Sequence, residues 1–166
     1  MVHNDYKWCL FVCALTCVHY FIVGGLTGIG RKAFSQEVMN EKFGELHAKE
    51  LEGQKISKGG LPDAGNGRYT MELGYATWMK MGQFQRAHLN YHETLLQTLF
   101  YILAGGIGWP TTFAILGGVN LLGRIIFVFG YLKAPRMRFF GVILFMPLLM
   151  VLPVLTIVSL VNVAIA

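Results

Sequence analysis

The chain has 166 residues, of which 54% are apolar and only 14% charged, and its net charge is +5. A soluble domain carries about 25% charged residues, so the composition excludes an ordinary water-soluble domain and points to a one-domain membrane protein. Cys9, Cys13 and Cys17 are odd in number and cannot close the disulfide framework of a small secreted fold.

Trp8 to Gly30 carries no charge over its whole length. That is enough to cross about 30 Å of hydrocarbon at 1.5 Å per residue. The run exceeds the usual apolar core of a signal peptide and has no clear small-x-small cleavage site before a mature start, so a retained span is expected. The three cysteines fall at i, i+4 and i+8 on one face. They read as a small-residue packing stripe rather than a redox, metal or acylation site.

Residues 31–80 are hydrophilic, with bases and acids in near balance, and read as a water-exposed connection. Ala33 to Leu51 has the spacing of a short amphipathic helix, with Phe34, Val38, Phe43 and Leu46 as its apolar positions. Gly59 to Gly67 is a turn-rich loop. Its Gly65-Asn66-Gly67 lacks a third glycine and follows no strand, which excludes a dinucleotide fingerprint. Tyr75, Trp78 and Phe84 then approach the membrane, where aromatic rings favour the interface.

Further spans are expected at about 83–106, 110–131 and 139–166, after a first at about 8–30. A short uncharged turn separates the second from the third, and Lys133, Arg136 and Arg138 form a basic connection before the fourth. Pro110 suits a first helical turn. Pro147 and Pro153 fall inside the last span, where a bundle tolerates kinks. The expected fold is therefore all-α: an integral membrane four-helix bundle with a long hydrophilic connection at 31–82. Four spans put both charged connections on one side, and the positive-inside rule assigns that side to the cytosol or its equivalent.

Two polar stripes run into these apolar helices. Arg86, Asn90, Glu93 and Gln97 are spaced i, i+4, i+7 and i+11, so they share one narrow helical face. Asn120, Arg124, Phe127 and Tyr131 repeat that spacing on the third span. Ionisable groups at such depth cost roughly 2.5–3.5 kcal/mol each on insertion scales and are usually paired or functional. Arg31, Arg86, Arg124, Arg136 and Arg138 are expected to gather near Glu93 at one depth. Arginine keeps its charge and presents a fork of donors that suits carboxylates, so this excess asks for an anionic ligand. A structural alternative stays open: an Arg–Glu pair that only fixes the bundle, with Arg136 or Arg138 on lipid head groups. His88 and His92 lie i, i+4 and point about 200–240° away from Arg86 on the helix. One such pair, with His3, His19 and His47 scattered, is too few for a metal site, and no metal is expected.

Arg86-Ala87-His88-x-Asn90-x-x-Glu93 resembles the signature of the MAPEG superfamily, the membrane-associated proteins of eicosanoid and glutathione metabolism. The resemblance is greatest to the type 3 microsomal glutathione transferases. Gly105-Gly106 and Pro110 follow at matching intervals, as do Gly123-Arg124, Gly130-Tyr131 and, more loosely, Arg31-Lys32-Ala33-Phe34. It covers residues 83–141 well and the 35–82 connection poorly. It implies a homotrimer with glutathione as co-substrate, bound between neighbouring protomers near the cytosolic face. By position, Arg86, His88, Asn90, Glu93, Arg124, Tyr131 and Arg136 would bind glutathione. Arg138 would stabilise its thiolate, and Arg31 would assist. A lipophilic electrophile or lipid hydroperoxide would enter from the bilayer.

The chain departs from that pattern at several positions. Thr94 and Phe127 stand where some members have tyrosines, and Leu96 and Gln97 where close relatives have prolines. The connection is also longer than in the mammalian enzymes, which suits a lid or a docking arm. The expected function is a glutathione transferase and lipid hydroperoxide peroxidase. The alternative is a non-catalytic accessory subunit of a larger membrane complex. A third reading, a regulatory lipid-binding scaffold, fits the retained Arg138 and Glu93 less well. Endoplasmic reticulum or mitochondrial membrane is the expected location, membrane lipids are expected partners, and no nucleic-acid partner is expected.

Overall fold

The computed structural model describes residues 4–32, 36–56, 63 and 66–165. Among them the secondary structure is helical, without strands: α1 (Tyr6–Arg31), α2 (Gln36–Glu50), α3 (Arg68–Met71), α4 (Tyr75–Gly105), α5 (Pro110–Lys133) and α6 (Phe139–Ile165), with a 3-10 turn at Pro135–Arg138. The helical class expected from the sequence is therefore observed.

Three helical segments are long and apolar enough to cross a membrane: Tyr6–Arg31, Pro110–Lys133 and Pro135–Ile165. The chain is an integral membrane protein. α4 is long, at 31 residues, but Lys80, Arg86 and Glu93 interrupt it between its start and Glu93. The uncharged remainder, Thr94 to Gly105, falls short of the roughly 20 apolar residues that a span requires. Three of the four expected spans thus stand on their own composition, and α4 does not.

The chain divides into two compact units, Met1–Gly24 with Ala87–Ala166, and Gly25–Arg86. In the first, Cys9, Cys13, Ile102, Phe113 and Leu152 form a buried cluster. Cys9 donates from Sγ to the Pro110 carbonyl at 3.1 Å. Cys13 is buried beside it, whereas Cys17 is exposed, so the first two cysteines act as packing residues. Polar side chains of the same unit tie helices together through backbone carbonyls. Tyr6 donates to Leu103 at 3.1 Å, Thr156 to Tyr101 at 3.2 Å and Ser159 to Gly105 at 2.7 Å.

α5 opens on Pro110 at its first turn, where the missing N–H costs nothing. It stops at Lys133 because Ala134 precedes a proline and takes an extended conformation, φ −158° and ψ 133°. The 3-10 turn then reverses the chain and lays α6 against α5. The two helices approach through Gly123 and Gly141. A Cβ on Gly141 would lie 2.5 Å from both Phe127 Cα and the Gly123 carbonyl oxygen. Such small-residue contacts drive association where lipid removes the hydrophobic incentive. Pro147 and Pro153 lie inside α6, which continues through both.

In the second unit, Met39 and Phe43 on α2 pack with Ile56, flanked by Val38, Tyr69 and Leu73. Val38 and Phe43 are two of the apolar positions expected from the helical spacing. Leu46 instead faces solvent, and Met39 fills the core in its place. Phe34 and most of the expected turn-rich loop lie outside the described residues. Within that loop Asp63 is buried, and its carboxylate accepts from the backbone N–H groups of Gly67 at 2.9 Å and Thr70 at 2.8 Å, and from the Thr70 hydroxyl. It thereby satisfies donors that the start of α3 would leave unpaired. Lys42 and Glu72 form an exposed ion pair at 3.4 Å, a contact of the kind that contributes about 1 kcal/mol at most.

Candidate functional site

The centre of the first unit is Arg124, buried to 1% exposure on α5. Its Nη1 donates to the Asn90 side-chain oxygen at 3.1 Å and to the Asn90 backbone carbonyl at 3.3 Å. Its Nη2 donates to the Thr94 hydroxyl. The guanidinium also lies 3.8 Å from the centroid of the Phe145 ring and 5.0 Å from that of Tyr91. Among the described residues no carboxylate stands at ion-pair distance from it.

Taking a guanidinium out of water costs several kcal/mol. Hydrogen bonds from a charged donor return about 1.5–3 kcal/mol each, and an aromatic face about 0.5–2 kcal/mol. Arg124 is therefore held by neutral oxygens and ring faces. It acts as a strut that fixes α4 against α5. The Arg–Glu pair left open as a structural explanation is not formed at Arg124, since Glu93 faces outward and is exposed.

Among the described residues, two buried donors around this strut have no partner: Arg124 Nε and, one turn earlier on α5, Asn120 Nδ2. The spacing of Asn120, Arg124, Phe127 and Tyr131 does mark one inward face, because the first three are buried and Tyr131 is half-buried.

A run of ring contacts leads from the strut to the basic turn. Phe145 meets Phe127 edge-on at 5.6 Å, and Phe127 stacks on Tyr131 at 5.7 Å. The Arg138 guanidinium lies 5.6 Å from the Tyr131 ring centroid. Arg138 is exposed, as is Arg136 beside it. Tyr131 and Arg138 are thus brought together, and Asn90 joins Arg124 one layer inward. Glu93 is exposed on α4 and makes no ion pair among the described residues.

The histidines lie elsewhere in the unit. His88 stacks on Tyr20 with ring centroids 5.0 Å apart, and the Tyr20 hydroxyl lies 2.8 Å from His92 Nδ1. The two imidazoles are nearly parallel, with centroids 6.4 Å apart. Both are engaged with α1. His88, expected at the glutathione site, here packs against Tyr20 and beside Gly24. Arg31 and Arg86 belong to the second unit and are exposed there.

Thr94 stands where some members of the resembled family have a tyrosine. Its own hydroxyl is in use, as an acceptor for Arg124. The available signal was its i+4 spacing from Asn90, which puts both oxygens on one helical face. Tyr91 and Phe145, whose rings flank the guanidinium, were also missed. Nothing in the spacing on one helix reveals a ring supplied by another.

One family model matches this chain, over residues 9–158, and it is that of the MAPEG family. No curated protein matches the sequence.

Proposed function

Because the chain belongs to the MAPEG family, we propose that it binds glutathione at the membrane surface and uses the thiolate against lipophilic electrophiles or lipid hydroperoxides. The observation that carries this reading is the pairing of Tyr131 with an exposed Arg138, beside a scaffold that Arg124 already holds in place. Glutathione offers two carboxylates, an ammonium and a thiol. Glu93, exposed and without an ion pair among the described residues, suits the ammonium. Arg138 and Arg136 suit carboxylate or thiolate.

In the transferase reaction the thiol proton passes to water, the sulfur forms a bond to the electrophilic carbon, and the leaving group departs. In the peroxidase reaction the thiolate attacks the terminal hydroperoxide oxygen. The lipid leaves as its alcohol after protonation, and a second glutathione displaces water from the sulfenic intermediate to give the disulfide. The fourth membrane crossing by α4, assembly as a homotrimer with the site shared between protomers, and an endoplasmic reticulum or mitochondrial location all belong to this proposal. They rest on the family resemblance.

Titration calorimetry with glutathione tests it. Glu93→Gln removes one charge from an exposed position and is expected to weaken glutathione binding about tenfold, or about 1.4 kcal/mol. A glutathione analogue lacking the amino group should bind native and variant protein alike. Equal affinity of glutathione for both proteins would remove Glu93 from the site.

A second reading, a non-catalytic accessory subunit, draws on one observation. Arg124 finds its acceptors within the chain and needs no ligand to hold it. Failure of the native protein to bind glutathione at millimolar concentration would favour it.

A further inference from the structure

The second unit contains a cavity of about 500 Å³ between the end of α1 and the start of α4. Ile29, Gly30, Met81 and Phe84 give it apolar walls, and Lys32 and Lys80 line it as well. The volume lies within the range of about 300–1,000 Å³ that small-molecule sites occupy. Its depth depends on Gly30, since a Cβ there would lie 3.3 Å from Phe84 and 3.4 Å from Met81. Met81, one of the lining residues, is 1% exposed. Neither lysine takes part in the arginine chemistry described above.

The placement defines what fits. The uncharged run of α1 ends at Gly30, and charge begins at Arg31 and Lys32, so the cavity sits where an apolar span meets the polar surface. Its apolar walls suit a hydrocarbon chain, and the two lysines that line it supply positive charge beside them. The carbonyl end of α1 points here and by itself repels anions. An anion in this cavity is therefore held by the lysines. Two point charges suit a phosphate, whereas a planar carboxylate is matched better by the fork of an arginine. A soluble phosphate would leave the apolar walls unfilled.

We propose that this cavity binds one anionic phospholipid, with its phosphate between Lys32 and Lys80 and the first part of an acyl chain against Ile29, Met81 and Phe84. The proposal does not depend on glutathione chemistry, and its test does not involve glutathione.

The test measures binding of fluorescent phosphatidic acid to the full-length purified protein in neutral detergent. Unlabelled phosphatidic acid, phosphatidylcholine and glycerol phosphate serve as competitors. The proposal expects competition by phosphatidic acid at least tenfold better than by the other two. Lys32→Glu with Lys80→Glu should weaken binding at least tenfold. Lys32→Arg with Lys80→Arg should retain it, which separates loss of charge from loss of fold. Lys133→Glu, a charge reversal at the end of α5, should change affinity less than twofold. Equal competition by glycerol phosphate would mean a free-phosphate site and would overturn the lipid assignment. Unchanged affinity in the double glutamate variant, or an equal loss in Lys133→Glu, would mean general surface attraction and would overturn the site. The same follows if phosphatidylcholine competes equally.

Discussion

In an Arg138→Ala variant, glutathione bound at pH 7 is expected to hold about 25-fold less thiolate than in the native protein. A free thiol has a pKa near 8.5, and a guanidinium close to the sulfur lowers it by about two units, within the range of about one to three for an adjacent opposite charge. At pH 7 a group with pKa near 6.5 is about three-quarters ionised, whereas one near 8.5 is about 3% ionised. The sign follows from charge: the cation favours the anion, so removing it raises the thiol pKa and the deficit appears below pH 8.5. At pH 8.5 it shrinks to about twofold. Thiolate absorbance of the complex, measured against pH, reads this directly. Turnover falls by less than the thiolate fraction, because a more basic thiolate is the better nucleophile. Superimposable thiolate titrations in native and variant protein would exclude Arg138 as the stabilising cation. Arg138 is exposed and lies against Tyr131, so the substitution removes no buried contact.

Arg124→Ala is expected to be the most destabilising single substitution around the site, at about 3–5 kcal/mol. It removes the donors that Asn90 and Thr94 accept, and it empties the space between Tyr91 and Phe145. Both oxygens sit on α4, so the loss loosens α4 against α5. Arg124→Met keeps most of the volume and places no charge out of water, and its cost is expected to be less than half as large. Thermal unfolding of the two variants in one detergent checks the order. If Arg124→Ala unfolds within a degree or two of the native protein, the guanidinium is not the strut described above.

Both variants act on features of unequal visibility in the sequence. The helices α1 and α6 are legible because each carries a long uncharged apolar run, and α5 because a single charge, Arg124, interrupts an otherwise apolar stretch of spanning length. α4 is harder to read. Its polar start and apolar end form one continuous helix, and the boundary visible in composition is not a boundary of structure. The inward face of α5 was legible from Asn120, Arg124 and Phe127, because a helix repeats on itself. The partners of Arg124 were not. Whether Asn90, Thr94 or Glu93 meets the guanidinium depends on the axial register of two helices, and spacing along either one leaves that register free. A family pattern marks Thr94 only by the tyrosine that is absent there, whereas its short hydroxyl reaches Arg124 itself. In the second unit Met39 displaced Leu46 from the core because Ile56 and Tyr69 approach from outside the helix whose periodicity was read.

A structure determined with saturating glutathione tests the central claim most directly. The account predicts one tripeptide with its ammonium on the Glu93 carboxylate and its sulfur facing the Arg138 guanidinium. It is contradicted if Glu93 and Arg138 meet only lipid and solvent at that concentration and no tripeptide is bound.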